Sequence, residues 1–244
     1  MSGRTVKQRL GNWLIPTLPI NGHVFKHVRL ELNAFNVRLL NTIVPNRRKR
    51  LKALLQRSGL LVNIGCGPFG HRGWVNIDLY ACHPNVTLTA DCRRTLPLGN
   101  ASCVGIHVEH FFEHLSPFDE RPMFLRECRR CLSQGGVLRI IVPDAEKYIR
   151  AYIGEGWTAL NEIGCGGDVP EQIFATKMQA LNHVFLQDEE HHGGHDRETL
   201  ALELQEAGFT DIEFFAWRCG RFPVEPVDRE LHRPYSLYAE AVRT

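Results

Sequence analysis

A chain of 244 residues, 43% of them hydrophobic, is long enough to bury one full core and too apolar to be a disordered or fibrous protein. Its 29 Lys and Arg stand against 27 Asp and Glu, so the net charge of +2 excludes a global electrostatic case for nucleic acid and leaves any basic surface local. The eight cysteines, Cys82 among them, are scattered and unpaired in spacing, which predicts a reducing, cytoplasmic setting.

The apolar stretch 13–20 contains Pro16 and Pro19 and is too short for a membrane helix; it also lacks a small-residue cleavage site, so a soluble, non-secreted protein without a transmembrane segment is expected. Phe25, Val28, Leu32, Phe35 and Leu39 then recur at three- and four-residue steps, predicting an amphipathic helix whose apolar face docks on another surface. Pro45 stops it. Arg47, Arg48, Lys49, Arg50 and Lys52 open a second helix through Gln56, and three readings of this run stay open: a solvated helix start, a contact to an acidic substrate or lipid surface, and an RNA contact. Residues 1–57 thus read as an N-terminal helical appendage to a main domain over 58–244, which begins after Ser58-Gly59.

From Leu60 the chain alternates strand and connection in the manner of an open, mostly parallel, doubly wound α/β sheet, with strands near 60–65, 73–79, 86–90, 103–109 and 137–142. Gly65, Gly67 and Gly70 fit G-x-G-x-x-G, a weak pattern alone. The distance to the next acid is more informative: Asp78 lies 13 residues after Gly65, with Gly73 between, whereas a dinucleotide fold places its acid about 20 residues on, past a crossover helix. The first crossover is therefore reduced to a turn, and a carboxylate at the tip of the second strand suits the vicinal hydroxyls of a ribose. A helix over about 120–132, ended by Gly135-Gly136, carries Cys128 and Cys131 as a packed face rather than a redox or zinc pair. Residues 145–196 break the alternation with helical pieces around 145–152 and 170–185, split by Gly164-Cys-Gly-Gly167. An insertion after the fifth strand is placed to form a lid over an acceptor pocket. A helix over 197–207, Gly208 as its cap, and strands near 211–217 and 235–242 close the chain.

Further motifs follow in order: Ala90-Asp91-Cys92 with Leu96-Pro97-Leu98 after it, His110-Phe-Phe-Glu113-His114-Leu115, Gly135-Gly136 through Pro143-Asp144, Ala207-Gly208-Phe209, and Ser236-Leu-Tyr-Ala-Glu240-Ala. With the 60–79 segment they resemble the class I S-adenosylmethionine-dependent methyltransferases, most nearly a bacterial small-molecule and sugar-pathway group with a short link from the Gly loop to Gly-Trp-Val-Asn-Ile-Asp. The resemblance implies a seven-stranded Rossmann-like sheet and S-adenosyl-L-methionine as cofactor. It also implies methyl transfer to a small-molecule acceptor, a sugar or other hydroxyl being favoured, in polysaccharide biosynthesis. One departure is Val104, where that group has an aspartate opening strand four.

The resemblance further implies that Asp78, with Leu79 beside it, meets the ribose. Gly65, Cys66 and Gly67 pass beneath the methionine portion, Asp91 and the Cys92 amide lie at the adenine, and the Glu109-His110 backbone meets the amino-acid end. His110, Glu113 and His114 also match H-x-x-E-H, with Glu189 or Glu190 as conceivable partners, but Ser116-Pro117 ends any helix at once and a zinc peptidase is not expected. His191-His192-Gly-Gly-His195 reads as a mobile loop, and no metal is expected. If the acceptor is a hydroxyl, a base is needed near neutral pH, and His110, His114, His195 and Asp144 are the candidates. Two other functions compete: a methyltransferase acting on RNA or protein, which needs the 47–52 run on the Asp78 side, and a non-catalytic cofactor-binding or assembly protein. The acceptor atom and the oligomeric state are not written in the sequence.

Overall fold

The computed structural model describes residues 21–81 and 83–244; the 13–20 stretch and Cys82 lie outside the described residues. A single seven-stranded sheet organises the chain in the order β3-β2-β1-β4-β5-β7-β6, with β1 Leu60–Ile64, β2 Val75–Asp78, β3 Leu88–Thr89, β4 Cys103–Glu109, β5 Leu132–Pro143, β6 Asp211–Phe215 and β7 Ser236–Val242. β7 runs antiparallel to both of its neighbours, and the other pairings are parallel. This is the seven-stranded, Rossmann-like sheet that the sequence predicts. Val62, Ile64, Ile77, Ile106, Val108, Leu138 and Ile140 are almost fully excluded from water, as strands covered on both faces should be.

The link from β1 to β2 has no helix, as its length demands. Two buried asparagines do the work a crossover helix normally does. Asn76 Oδ1 accepts from the His71 amide (2.9 Å) and its Nδ2 donates to the His71 carbonyl (2.8 Å), while Asn63 Nδ2 donates to the Phe69 carbonyl (3.2 Å). Their side chains satisfy loop backbone groups that would otherwise be buried unpaired.

The N-terminal helices are α1 Gly22–Ile43 and α2 Pro45–Leu55. Among the described residues the α1 apolar stripe is not covered: Val28 is 48%, Leu32 63%, Phe35 60% and Leu39 42% exposed. α1 attaches instead by its other side, burying Ala34, donating from Asn41 Nδ2 to the Thr89 carbonyl (2.9 Å) and pairing Glu31 with Arg93 (2.5 Å). Along α2, Arg48, Lys49, Arg50 and Lys52 are exposed, while Leu54 enters the main core. Among the described residues no helix is long and apolar enough to cross a membrane.

α3 Glu120–Cys131 buries Cys128 and Cys131 completely, and burial pushes the Cys131 thiol up to about 12, so the pair packs as apolar side chains. The expected stop at Gly135-Gly136 is displaced: the helix ends at Cys131 and β5 begins at Leu132, with the glycines inside an irregular stretch where the β4–β5 register shifts. After β5 come α4 Ala145–Ile153, α5 Thr158–Ile163, α6 Pro170–Ile173 and α7 Lys177–Leu186, which gather a second small core from Tyr148, Leu160, Leu181, Val184 and Tyr235. Phe174–Thr176 interrupts the expected 170–185 helix, because Thr176 and Gln179 form a capping box that starts α7 afresh. α8 Arg197–Glu206 leads back to the sheet.

Candidate functional site

A cleft of about 200 Å³ opens at the carboxyl ends of β1 and β4. Asn63, Gly65, Cys66, Gly67, Pro68, Phe69, His71, Glu109, His110 and Arg229 line it. Gly65 and Gly67 both take left-handed backbone angles, φ 67° and 49°. The two differ in reason. A Cβ on Gly65 would stand 2.6 Å from the Phe111 ring, so Gly65 makes room for the protein's own side chain; a Cβ on Gly67 would meet nothing within 4 Å. The bare turn at Gly67 is a cradle that fits a ligand running beneath it.

Asp78 ends β2 beside this turn and holds it: Oδ2 accepts from the Gly67 amide (2.8 Å) and Oδ1 from the Tyr80 amide (2.9 Å). Each oxygen keeps a second lone pair for a vicinal diol. Cys66 is buried and Leu79 half-buried at this end of the sheet. Asp91 is more committed. Arg93 grips both of its oxygens (2.9 and 3.1 Å), Arg38 of α1 stands 3.7 Å away, and the side chain is 3% exposed, so these contacts outweigh burial and hold its carboxyl below the usual range. Cys92 turns its thiol into the core, where burial raises it well above normal.

The far wall is built from β4 and the loop before β7. Glu109 Oε1 accepts from the Arg229 amide (3.0 Å) and contacts His232 Nδ1 (2.9 Å), and Oε2 pairs with Arg229 Nε (3.2 Å). Burial alone would raise the Glu109 carboxyl, yet His232, His107 and Arg229 bring it down to about 2. Arg229 also lies over the Phe69 ring, 4.4 Å from its centre. Arg229 and His232 escape a reading by motif because they sit in an irregular loop far along the chain. Asn63 and Asn76, polar residues inside apolar strands, were a usable sign.

His110 has a left-handed φ of 53°, which turns its ring between Glu113 (Nδ1 to Oε1, 3.1 Å) and Ser236 (Nε2 to Oγ, 2.9 Å). Only Phe112–His114 after it is helical, a single 3-10 turn, so the H-x-x-E-H residues do not share an α-helix face. Glu113 is 1% exposed; burial would raise its carboxyl, but His110, His114 and His191 outweigh it and hold it at about 2. His114 stacks edge-on against His191, ring centres 4.6 Å apart. His191, rather than Glu189 or Glu190, is what joins Glu113 and His114.

His195 is a correction. It is fully buried, 5.3 Å from the Phe112 ring and 3.3 Å from Glu203 Oε2, so it has no route to an acceptor in the cleft. The loop that carries it is also not the mobile one expected: the His192 amide donates to the Glu113 carbonyl (2.9 Å), the Ala145 amide to the His195 carbonyl (2.8 Å), and a Cβ on Gly194 would press on Phe185 at 2.9 Å. Gly194 serves close packing. Asp144 caps α4 by accepting from the Lys147 amide (3.2 Å) and is buried there, away from the lining of the cleft.

A family model described as a methyltransferase domain matches residues 75–140. No curated protein matches the chain. Among solved structures, a methyltransferase from Thermotoga maritima, described as a possible histamine N-methyltransferase, is 15% identical with TM-score 0.46 and covers 91% of this chain and 96% of its own. One from Mesorhizobium loti is 17% identical, TM-score 0.46, covering 80% and 96%, and one from Archaeoglobus fulgidus is 16% identical, TM-score 0.44, covering 82% and 93%. The matched residues run from β2 through most of β5 and include β4, one of the two strands whose ends form the cleft; the match to a methyltransferase domain there supports an S-adenosylmethionine-dependent enzyme.

Proposed function

We propose that the enzyme methylates a small molecule bound on the His110 side of the cleft, a sugar or other hydroxyl being the favoured acceptor, with residues 58–244 as the methyltransferase domain, 145–196 as its acceptor-side wall and 1–57 as an appendage. The observation that carries this reading is the His110 ring, held at the cleft by a buried carboxylate on one nitrogen and a hydroxyl on the other. A carboxylate behind an imidazole fixes its tautomer and steadies the charge that forms when it takes a proton. The strained backbone of His110 supports a functional reason for its orientation. The sugar preference, the polysaccharide pathway and a cytoplasmic location rest on the sequence resemblance and the free thiols.

When bound, S-adenosylmethionine supplies an electrophilic methyl group on a sulfonium sulfur. Asp78 accepts from the ribose hydroxyls while keeping the Gly67 turn in place, Gly67 leaves the backbone bare beneath the ligand, and Asp91 and the Cys92 backbone lie toward the adenine end. Glu109 keeps Arg229 on the wall. His110 Nε2, which Ser236 now engages, takes the acceptor's hydroxyl proton, with Glu113 holding Nδ1. His114 is set behind His110 and does not act on the acceptor in this reading.

The test is transfer of labelled methyl to a panel of sugars with the parent and His110→Ala. Turnover should fall about a hundredfold, the low end for loss of a general base, with S-adenosylhomocysteine affinity unchanged by calorimetry. Full turnover in the variant across pH 6 to 9 would remove His110 from the reaction.

A further inference from the structure

We propose that Glu113, His114 and His191 bind a divalent transition-metal ion of the zinc class. One ligand atom from each of the three lies within 4.8 Å of the others. His114 Nδ1 is 2.9 Å from the Glu190 carbonyl and His191 Nδ1 is 2.7 Å from the Val184 carbonyl. A carbonyl oxygen only accepts, so each Nδ1 carries the proton and the free nitrogen of each neutral ring is Nε2, a lone-pair donor to a metal. Backbone carbonyls fixing the second nitrogen are the usual support of a metal-bound histidine.

Glu113 supplies the independent observation. It is 1% exposed, and among the described residues no hydrogen bond is donated to its Oε2. His110 approaches Oε1, at 3.1 Å, so Oε2 is the oxygen left for a metal. Two imidazole lone pairs and a buried carboxylate are all acceptors. What such a trio lacks is a cation. Zinc bonds of about 2.0–2.1 Å set tetrahedral ligand atoms roughly 3.4 Å apart, so the three close by about an ångström on loading.

The donor set also narrows the ion. Two imidazoles and one carboxylate suit zinc and its first-row neighbours, whereas magnesium and calcium take oxygen ligands. Three protein ligands leave a coordination position open to water or a small ligand, the pattern of reactive rather than purely structural zinc. The segment that delivers His191 passes through left-handed angles at Gln187, Asp188 and Glu189 (φ 39°, 54° and 69°), a strained turn that brings both the Glu190 carbonyl and the His191 ring into place. This inference is independent of the acceptor, since it concerns side chains behind His110 rather than the cleft itself.

The experiment is calorimetric titration of the chelator-treated full chain with Zn²⁺ alone, with Co²⁺ as the spectroscopic probe. One equivalent of Zn²⁺ should bind at micromolar or tighter, Co²⁺ should give the intense visible bands of a four- or five-coordinate ion, and His114→Ala and His191→Ala should each weaken Zn²⁺ by at least about tenfold. S-adenosylhomocysteine binding reports that each variant is folded; because His191 is buried and His114 is not, His114→Ala decides the matter if His191→Ala fails to fold. No saturable Zn²⁺ binding below about 1 mM, or the parent's affinity retained in folded His114→Ala, overturns the site.

Discussion

The two flanks of the sheet hold their loops by opposite means. On the β1–β3 side, short links are clamped by neutral amides, Asn63 and Asn76, and the Asp78 carboxylate accepts from the Gly67 amide. On the β5–β7 side, the 216–235 loop hangs from buried charge: Arg139 is 0% exposed, and its guanidinium donates to Asp228 (Nε to Oδ1, 2.8 Å; Nη2 to Oδ2), to Glu240 Oε1 (2.7 Å) and to the Cys219 carbonyl (2.9 Å). That loop delivers Arg229 to the cleft wall. Losing a neutral clamp costs about 1–3 kcal/mol for the groups left unpaired, while a buried charge stripped of its partner costs about 3–5 kcal/mol. The same cleft is therefore robust on its glycine side and brittle on its arginine side.

Arg139→Met tests the brittle side hardest. It leaves the buried Asp228 and Glu240 carboxylates without their guanidinium partner, so urea unfolding should show a loss of about 3–5 kcal/mol; a loss under about 1 kcal/mol would erase the contrast between the flanks. Asn76→Ala should be milder, costing about 1–3 kcal/mol for the His71 backbone groups left unpaired. It should leave a folded protein with weakened S-adenosylhomocysteine binding, and equal destabilisation by the two variants would sink the comparison. A third effect is confined to acid. Glu109 titrates at about 2 when folded, below the ordinary 4.5, so its contribution is complete above about pH 4.5 and disappears as pH falls toward 2. Glu109→Gln should flatten that part of the acid-unfolding curve, and an unchanged curve would assign the acid sensitivity elsewhere.

The strand sequence and the short first crossover were legible because both follow from local periodicity and a residue count. Asp78 beside the glycine turn was legible for the same reason. The α1 face was misleading: a stripe at helical spacing reports that one side is apolar, not that anything covers it, and here the contacts of Glu31 and Asn41 decide which side faces the sheet. His195 looked equivalent to its neighbours in a run of histidines, but an isolated parallel bridge between Asp144 and His195 turns it inward. Contacts such as Glu109 with His232, or Glu113 with His191, join residues far apart in the chain and leave no trace in spacing.

The Arg139 cluster also constrains how this chain can drift. Positions 139, 228 and 240 are coupled energetically, since replacing any one of them alone is expected to cost several kcal/mol, about 3–5 by the usual cost of an orphaned buried charge, while an apolar trio of matching volume should be stable again. Descendants are expected to keep all three or to exchange all three. Because the loop that bears Arg229 is moored to Asp228, the chemistry of the cleft wall travels with that choice, and a change of acceptor in this lineage would be announced first by a change deep in the sheet.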